Sequence, residues 1–388
     1  MVVNSLYGVY LGMIGVVLPY IGQTFHRNSE VQGRLIAAGF LGAVASLLLC
    51  GMLSDYWGRK SVLLLSGAVC SLGMLLFGNA PLLLMALAVA PLIVGGLAGM
   101  QAGSSALAAD LAPDRRAMIL NATQIAFGGG AVVGPGAAHL LLEAGIGWRV
   151  LYIGLASIVL AVLGVLLLLP VPRSFGERDD VQEGDRLQQK GQKEGGLKSD
   201  VLRSLLRQPV FVGLCLAQML YGGAEVGFFS WMPTYFQKVL PGGAPRAGQI
   251  VSIFWIAMTL GRLAMARLLG VWSNLRLGMA LALGGASCAL LTLAWNTPLL
   301  VMLFVGLTGL FFGGIYSTIL VEAGERFPTL LGTVIGSIGT ASCVGTATVP
   351  WAVGFLAGTP AGWRGGLLLI PCSAGLVALI LWGMSRRT

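Results

Sequence analysis

The stretch LYGVYLGMIGVVLP (residues 6–19) has a counterpart in the second half of the chain, LYGGAEVGFFSWMP (residues 220–233). Leucine, tyrosine, glycine and proline recur in both at one separation of 214 residues, as between Tyr7 and Tyr221. Two more pairs agree at separations of 212 and 215 residues: AADLAPDRR (108–116) with LVEAGERF (320–327), and VGP (133–135) with TVP (348–350). Three concordant separations indicate that one half of the chain repeats the other in the same topology.

Composition places both halves in a membrane. Hydrophobic residues make up 56% of the 388 residues and charged residues only 10%, with a mean hydropathy of +0.85, which excludes a water-soluble protein. A helix needs about 20 apolar residues to cross a bilayer. The sequence contains twelve such stretches: 2–25, 31–53, 61–79, 82–110, 117–145, 149–170, 210–238, 247–271, 276–295, 298–323, 328–357 and 364–385. We therefore predict an all-α membrane protein with twelve transmembrane helices in two pseudo-symmetric six-helix bundles.

A polar segment separates the sixth span from the seventh. It contains FGERDDVQEGDRLQQKGQKEGGLKSD (175–200), whose mixed charges and missing apolar periodicity are typical of a solvated linker. The predicted domains are an N-terminal six-helix bundle over 1–172, a cytoplasmic linker over 173–208 and a C-terminal six-helix bundle over 209–388.

Lysine and arginine predict the orientation. If both termini are cytoplasmic, most of the basic residues lie on the cytoplasmic face, in agreement with the positive-inside rule. The net charge of +9 then reflects topology and not binding of nucleic acid. We expect a monomer in the inner or plasma membrane whose partners are the bilayer and a small-molecule substrate.

The sequence lacks the patterns expected of an enzyme. It has no Ser-His-Asp candidate, no phosphate-binding loop and no cysteine spacing suited to a metal. We predict a protein without a cofactor or metal, in which a proton serves as the coupling ion.

The turn between the second and third spans reads GMLSDYWGRK (51–60). It is similar to the signature loop of the major facilitator superfamily, and the span count, the central linker and the repeat extend that resemblance over the whole chain. The resemblance implies a cytoplasmic latch formed by Asp55, Gly58 and Arg59. Arg59 would pair with Asp110, and Asp55 would cap the start of the eleventh span. Alternatively, these residues only anchor a loop among the lipid headgroups.

Glu225 is the unusual residue of the seventh span. A charge in the middle of the bilayer costs about 2.5–3.5 kcal/mol on insertion scales, so such an acid faces a cavity or a partner. Gln218, Tyr221 and Glu225, with Phe228 or Phe229, share one helical face. Removal from water favours the protonated form of a carboxyl group, which suits a proton carrier. The alternative is a structural ion pair between Glu225 and Arg262, although Glu322 is a second candidate partner for Arg262.

Three stretches resemble the fucose, galactose and glucose proton symporter group: YGGAEVGFFSWMPTYF (221–236), FWIAMTLGR (254–262) and LNATQIAFGGGAVVGP (120–135). The resemblance implies a sugar site with Asn121 and Gln124 on the fifth span and Glu225 on the seventh. The fucose type has an acid on the first span where this chain has Gly15. Further residues expected to line the site are Tyr7, Tyr10, Gln218, Tyr221, Phe228, Phe229, Trp255 and Tyr316.

These features favour a secondary active transporter that takes up a sugar or similar small polar solute with protons by alternating access. One alternative is proton-coupled efflux of lipophilic compounds, since GAVVGPGAA (130–138) partly resembles an antiporter motif. Another is an organic-anion carrier, because WMPTYF (231–236) recurs there, although the expected arginines on the central helices are missing. A sensor that uses the same fold is a third alternative.

Overall fold

The structure, a computed structural model, describes residues 1–26, 29–111, 116–168, 203–243, 246–268, 273–327 and 330–386. In those ranges the chain forms long helices joined by short turns. The helices are α1 (Val2–Thr24), α2 (Ser29–Trp57), α3 (Arg59–Gly78), α4 (Leu83–Leu111), α5 (Arg116–Glu143), α6 (Trp148–Leu168), α7 (Pro209–Val239), α8 (Ala247–Leu268), α9 (Asn274–Ala294), α10 (Pro298–Arg326), α11 (Leu331–Ala357) and α12, which comprises Gly362–Leu367 and Leu369–Ser385.

Eleven of these helices, within the described residues, have the length and hydropathy needed to cross a membrane. The remaining one, α2, has 29 residues and is also long enough. The all-α architecture with twelve spans is thus confirmed. The domain boundaries stay a prediction, because residues 169–202, most of the expected linker, lie outside the described part.

Local chemistry explains where several helices begin and end. Pro209 and Pro298 open α7 and α10, a position where the missing N–H of proline costs nothing. Ser273 accepts a hydrogen bond from the backbone N–H of Arg276 at 3.4 Å and so caps α9. Gly58 separates α2 from α3 with a φ of 80°, a left-handed conformation that favours glycine. These signals place the observed helices within a few residues of the predicted spans.

The two halves repeat each other in packing as well as in sequence. In the N-terminal half α1 packs on α5, α2 on α4, and α3 on α4 and α6. In the C-terminal half the corresponding pairs recur: α7 packs on α11, α8 on α10, and α9 on α10 and α12. The fold therefore consists of two copies of one six-helix arrangement.

A Trp-Arg pair opens the last helix of each half. Arg149 at the start of α6 donates to the carbonyl oxygens of Gly78 (3.1 Å) and Ala80 (2.7 Å) at the end of α3, while its guanidinium lies 4.8 Å from the Trp148 ring. Arg364, beside Trp363 on α12, donates to Asn296 after α9. Each arginine thus ties the sixth helix of its half to the end of the third.

The halves meet along α2 and α11, α5 and α8, and α1 and α7. Several close approaches between these helices lie toward the end of the bundle that is remote from the chain termini. Gly354 on α11 approaches Ser29 on α2, and Gly248 on α8 packs against His139 on α5. Ser252 of α8 donates to the Val132 carbonyl oxygen of α5 at 2.8 Å. We call this set of contacts the closed end.

Candidate functional site

Four aromatic rings run from one half to the other through the middle of the bundle. Tyr7 on α1 lies 5.6 Å from Phe127 on α5, Phe127 lies 5.6 Å from Trp255 on α8, and Trp255 lies 5.4 Å from Phe229 on α7, measured between ring centroids. All four side chains are buried. This set, which we call the aromatic bridge, joins the two halves next to the closed end.

A polar cluster occupies the centre of the molecule beside the aromatic bridge. The positive charge of Arg262 on α8 acts on Glu225 and Tyr221 of α7 and on Tyr316 of α10. Glu225 and Arg262 are half-buried, whereas Tyr316, in the C-terminal half of α10, is 42% exposed. Tyr316 lies close to Arg262 and Glu225, so its exposed surface borders this polar cluster. Tyr7 and Tyr316 both also face Cys343 of α11, which extends the cluster to a fourth and a fifth helix.

The Tyr221 hydroxyl group has a defined role in this cluster. It donates its only proton to the Phe312 carbonyl oxygen of α10 at 2.9 Å, and it also lies within hydrogen-bonding reach of the Glu225 carboxyl group. Tyr221 therefore connects Glu225 on α7 to the backbone of α10, and Arg262 on α8 lies close to the same carboxyl group.

Glu225 and Arg262 form no direct ion pair in the part of the chain that the structure describes. Glu322, the alternative partner from the sequence, pairs with Arg326 on its own helix. The only hydrogen bond from Arg262 in the described ranges goes to the Met258 sulfur at 3.9 Å, and sulfur is a weak acceptor. Most of the Arg262 donors are thus without a protein acceptor among the described residues.

Two buried amides link the central helices to their neighbours. Gln218 of α7 donates to the Ser342 hydroxyl group of α11 at 3.1 Å, and Asn4 of α1 donates to Ser104 of α4 at 3.2 Å. The amide oxygen of each is buried without a hydrogen-bond partner among the described residues. Sequence reasoning identified Gln218 but missed Asn4, although Asn4 precedes Gln218 by the same 214 residues as Tyr7 precedes Tyr221. The repeat is therefore the signal that could have found it.

The other predicted site residues take several positions. Phe228 packs inside the C-terminal half against Phe254 (5.5 Å), and Tyr10 packs inside the N-terminal half against Tyr152 (6.1 Å). Gln124 is exposed on α5, one helical turn before Phe127. The side chain of Asn121 lies outside the described part. Phe127 was not predicted, although its position one helical turn after Gln124, on the same face, could have identified it.

Gly15 marks the place where α1 crosses α7. A Cβ atom on Gly15 would lie 2.6 Å from the Phe229 carbonyl oxygen and 2.8 Å from that of Ser230. Neither is the end of a flexible side chain, so the two helices would have to separate. The close approach of α1 and α7 at this point therefore leaves no room for a side chain.

The predicted latch is only partly described. Gly58 has the conformation of a tight turn, and Arg59 begins α3 as a half-buried residue with interaction partners. The side chains of Asp55 and Asp110 lie outside the described part, so the pairing of Arg59 with Asp110 stays a prediction. Within the described residues no group of histidines, cysteines and acids could hold a metal ion.

Comparisons with known proteins agree with this architecture. The family model described as Major Facilitator Superfamily matches residues 1–350. A gentisate transporter from Corynebacterium glutamicum is 25% identical over 394 residues, which cover 96% of this chain and 83% of the relative. An uncharacterized MFS-type transporter from Yersinia pestis is 24% identical over 351 residues, with coverage of 88% and 83%.

Solved structures share the fold. A D-xylose-proton symporter superposes with a TM-score of 0.78 at 16% identity, over 98% of this chain and 96% of that one. The Escherichia coli fucose:proton symporter superposes with a TM-score of 0.65 at 18% identity and the same coverage. At these identities the likeness establishes the fold alone. With the family match over most of its length, the chain belongs to the Major Facilitator Superfamily and is a multi-pass membrane transporter and not an enzyme.

Proposed function

We propose that this transporter couples the inward movement of protons to the uptake of a small polar solute, with Glu225 as the proton carrier. The observation that carries this proposal is the position of Glu225, which is half-buried near the middle of α7 and close to Arg262 and Tyr221. An acid in the middle of a membrane helix, close to a cation but without a direct ion pair to it among the described residues, supports a carboxyl group that gains and loses a proton during transport.

The contacts between the halves support alternating access. If both termini are cytoplasmic, the closed end is extracellular, and under this proposal the solute site around Glu225 opens to the cytoplasm. For the opposite state to form, α2 must separate from α11, α5 from α8 and α1 from α7. The aromatic bridge and the Ser252 hydrogen bond then have to break, and these contacts hold the extracellular side shut while the solute leaves.

Sugars are the first solute class to test. The sequence resembles the sugar symporter group, and two of the superposed structures carry sugar symporters in their titles. Aromatic faces with hydroxyl and amide groups, as in the aromatic bridge with Tyr221 and Gln218, suit a ring that bears hydroxyl groups. Gentisate belongs in the same panel because a relative over most of the chain is named as its transporter.

The test is proton movement in proteoliposomes that contain a pH-sensitive dye. Monosaccharides, gentisate and lipophilic cations are added in turn to the wild type, Glu225→Gln and the control Glu143→Gln. Glu143 is exposed at the closed end, where it pairs with His139, so its loss should leave coupling unchanged.

We expect at least one polar solute to drive protons inward in the wild type and the control. The Glu225→Gln variant should lose proton movement but keep solute exchange. Proton movement only with lipophilic cations would favour the efflux alternative, and unchanged coupling in Glu225→Gln would overturn the role of Glu225.

A further inference from the structure

Arg262 is a cation that the described protein groups do not neutralise by direct contact. Its guanidinium carries five N–H donors, and the structure gives it one weak hydrogen bond, to the Met258 sulfur. A cation inside a membrane protein is costly unless it faces a cavity or a partner. Arg262 is half-buried and has no acidic partner in direct contact among the described residues, so its unused donors suit a ligand with acceptor atoms.

Trp255 lies on the same side of α8, because a separation of seven residues is close to two helical turns. The two Cα atoms are therefore about 10 Å apart along the helix axis, and an arginine side chain leans toward the N-terminus of its helix, here toward Trp255. The Trp255 ring is 1% exposed, and its Nε1 atom is buried without a hydrogen-bond partner among the described residues. Helix α8 thus carries an aromatic N–H donor and the guanidinium donors of Arg262 about 10 Å apart or less, a distance that a small molecule can span.

We propose that the transported solute carries a carboxylate, which Arg262 binds while the body of the solute packs beside Trp255, and that it binds when Glu225 is protonated. This inference rests on the proposed function and names the substrate class of the same site. Guanidinium and carboxylate groups match in geometry and form paired hydrogen bonds, which a neutral sugar cannot reproduce.

The charges in the cluster explain why proton and solute would move together. The groups that face Glu225 are Tyr221 on its own helix, Arg262 on α8 and Tyr316 on α10, and Cys343 of α11 faces Tyr7 and Tyr316. An ionised Glu225 balances Arg262 and repels a second carboxylate. A protonated Glu225 leaves Arg262 without a counter-charge, so a carboxylate restores neutrality. The loaded site is then neutral, which lowers the cost of passing through the membrane-embedded intermediate.

The experiment uses pairs of solutes that differ only in the acid group: D-glucuronate with D-glucose, and gentisate with hydroquinone. Binding and exchange are measured in the purified full-length protein and in proteoliposomes, for the wild type, Arg262→Gln, Arg262→Lys and Glu225→Gln. Arg34→Gln is the control, because Arg34 is an exposed arginine whose partner, Glu30, lies on the same helix.

We expect an acid to bind at least roughly tenfold more tightly than its neutral counterpart, with tighter binding at acidic pH. Arg262→Gln should lose that preference, roughly tenfold or more, and Arg262→Lys should retain part of it. Glu225→Gln should bind the acid independently of pH, since its side chain is neutral at every pH. Wild-type measurements alone test the preference if a variant fails to fold.

Transport of glucose or hydroquinone in preference to the acid, with full activity in Arg262→Gln, would overturn the carboxylate inference. Proton coupling through Glu225 would survive that result, provided that Glu225→Gln still uncouples the neutral solute. Acid transport that needs Arg262 but keeps its proton coupling in Glu225→Gln would contradict the proposed function instead. The two failures are therefore distinguishable.

Discussion

Glu225 on α7 and Arg262 on α8 lie close enough for their charges to interact, yet in the described structure they form no direct ion pair. A locked pair would be a structural element, and its removal would mainly cost stability. An open arrangement leaves the acid free to exchange a proton and the arginine free to bind a solute. The account of coupling developed above depends on this difference.

Gly15→Val should impair transport because its side chain would push α1 away from α7 at the closed end. Uptake is expected to fall roughly tenfold or more, since overpacking at a close contact costs about 1–3 kcal/mol. Uptake per molecule of purified protein is the measurement. Gly164→Val on α6 is the control, because a Cβ atom there would meet nothing within 4 Å. Equal activity of the two variants would show that the α1–α7 crossing does not close during transport.

Ser252→Ala should weaken the closed end without changing the solute site. The hydrogen bond to the Val132 carbonyl oxygen is worth about 1 kcal/mol, which corresponds to roughly a fivefold shift toward the outward-open state. Accessibility of a cysteine introduced at Gly136, near Ser252 on the α5–α8 seam, reports that shift from the extracellular side. Unchanged accessibility would mean that other contacts determine the equilibrium.

Cys343 should react with a membrane-impermeant maleimide from the cytoplasmic side only. It is half-buried on α11 and lies close to Tyr7 and Tyr316, while the closed end blocks the other route. The test compares inside-out and right-side-out vesicles of a variant that keeps Cys343 and replaces the other five cysteines with serine. Stronger labelling in right-side-out vesicles would contradict the orientation or the closed end.

Arg149→Ala should lower the stability of the protein more than it lowers the rate of transport. The variant loses two hydrogen bonds to the end of α3 and the contact with the Trp148 ring, and the apparent melting temperature should fall by roughly 5 °C. The comparison is Arg34→Ala, whose exposed pair with Glu30 contributes little. Similar melting temperatures for both variants would contradict the structural role assigned to the Trp-Arg pair.

The sequence predicted the helices well because each span is a continuous apolar stretch bounded by polar or turn residues. The repeat around Tyr7 and Tyr221 likewise predicted that the two halves share one helix arrangement. Both signals are local or depend on one constant separation, so neither requires knowledge of which helices touch.

The site was harder to predict, because helices in the centre of a bundle are buried on several faces. Tyr10 follows Tyr7 by three residues, which turns it by about 60° around the helix, and it packs on Tyr152 within its own half. Phe228 and Phe229 differ in the same way: Phe228 packs within the C-terminal half, whereas its neighbour Phe229 belongs to the aromatic bridge. Phe127 and Arg262 gain their significance from neighbours on other helices, and a single sequence contains no direct record of those contacts.

The most direct measurement is solute accumulation driven by an imposed pH gradient, compared with solute exchange in the absence of a gradient, in the wild type and Glu225→Gln. The account predicts that the wild type accumulates solute when the outside is acidic, whereas Glu225→Gln exchanges solute at a comparable rate but does not accumulate it. Gradient-driven accumulation by Glu225→Gln equal to that of the wild type would contradict the assignment of Glu225 as the proton carrier.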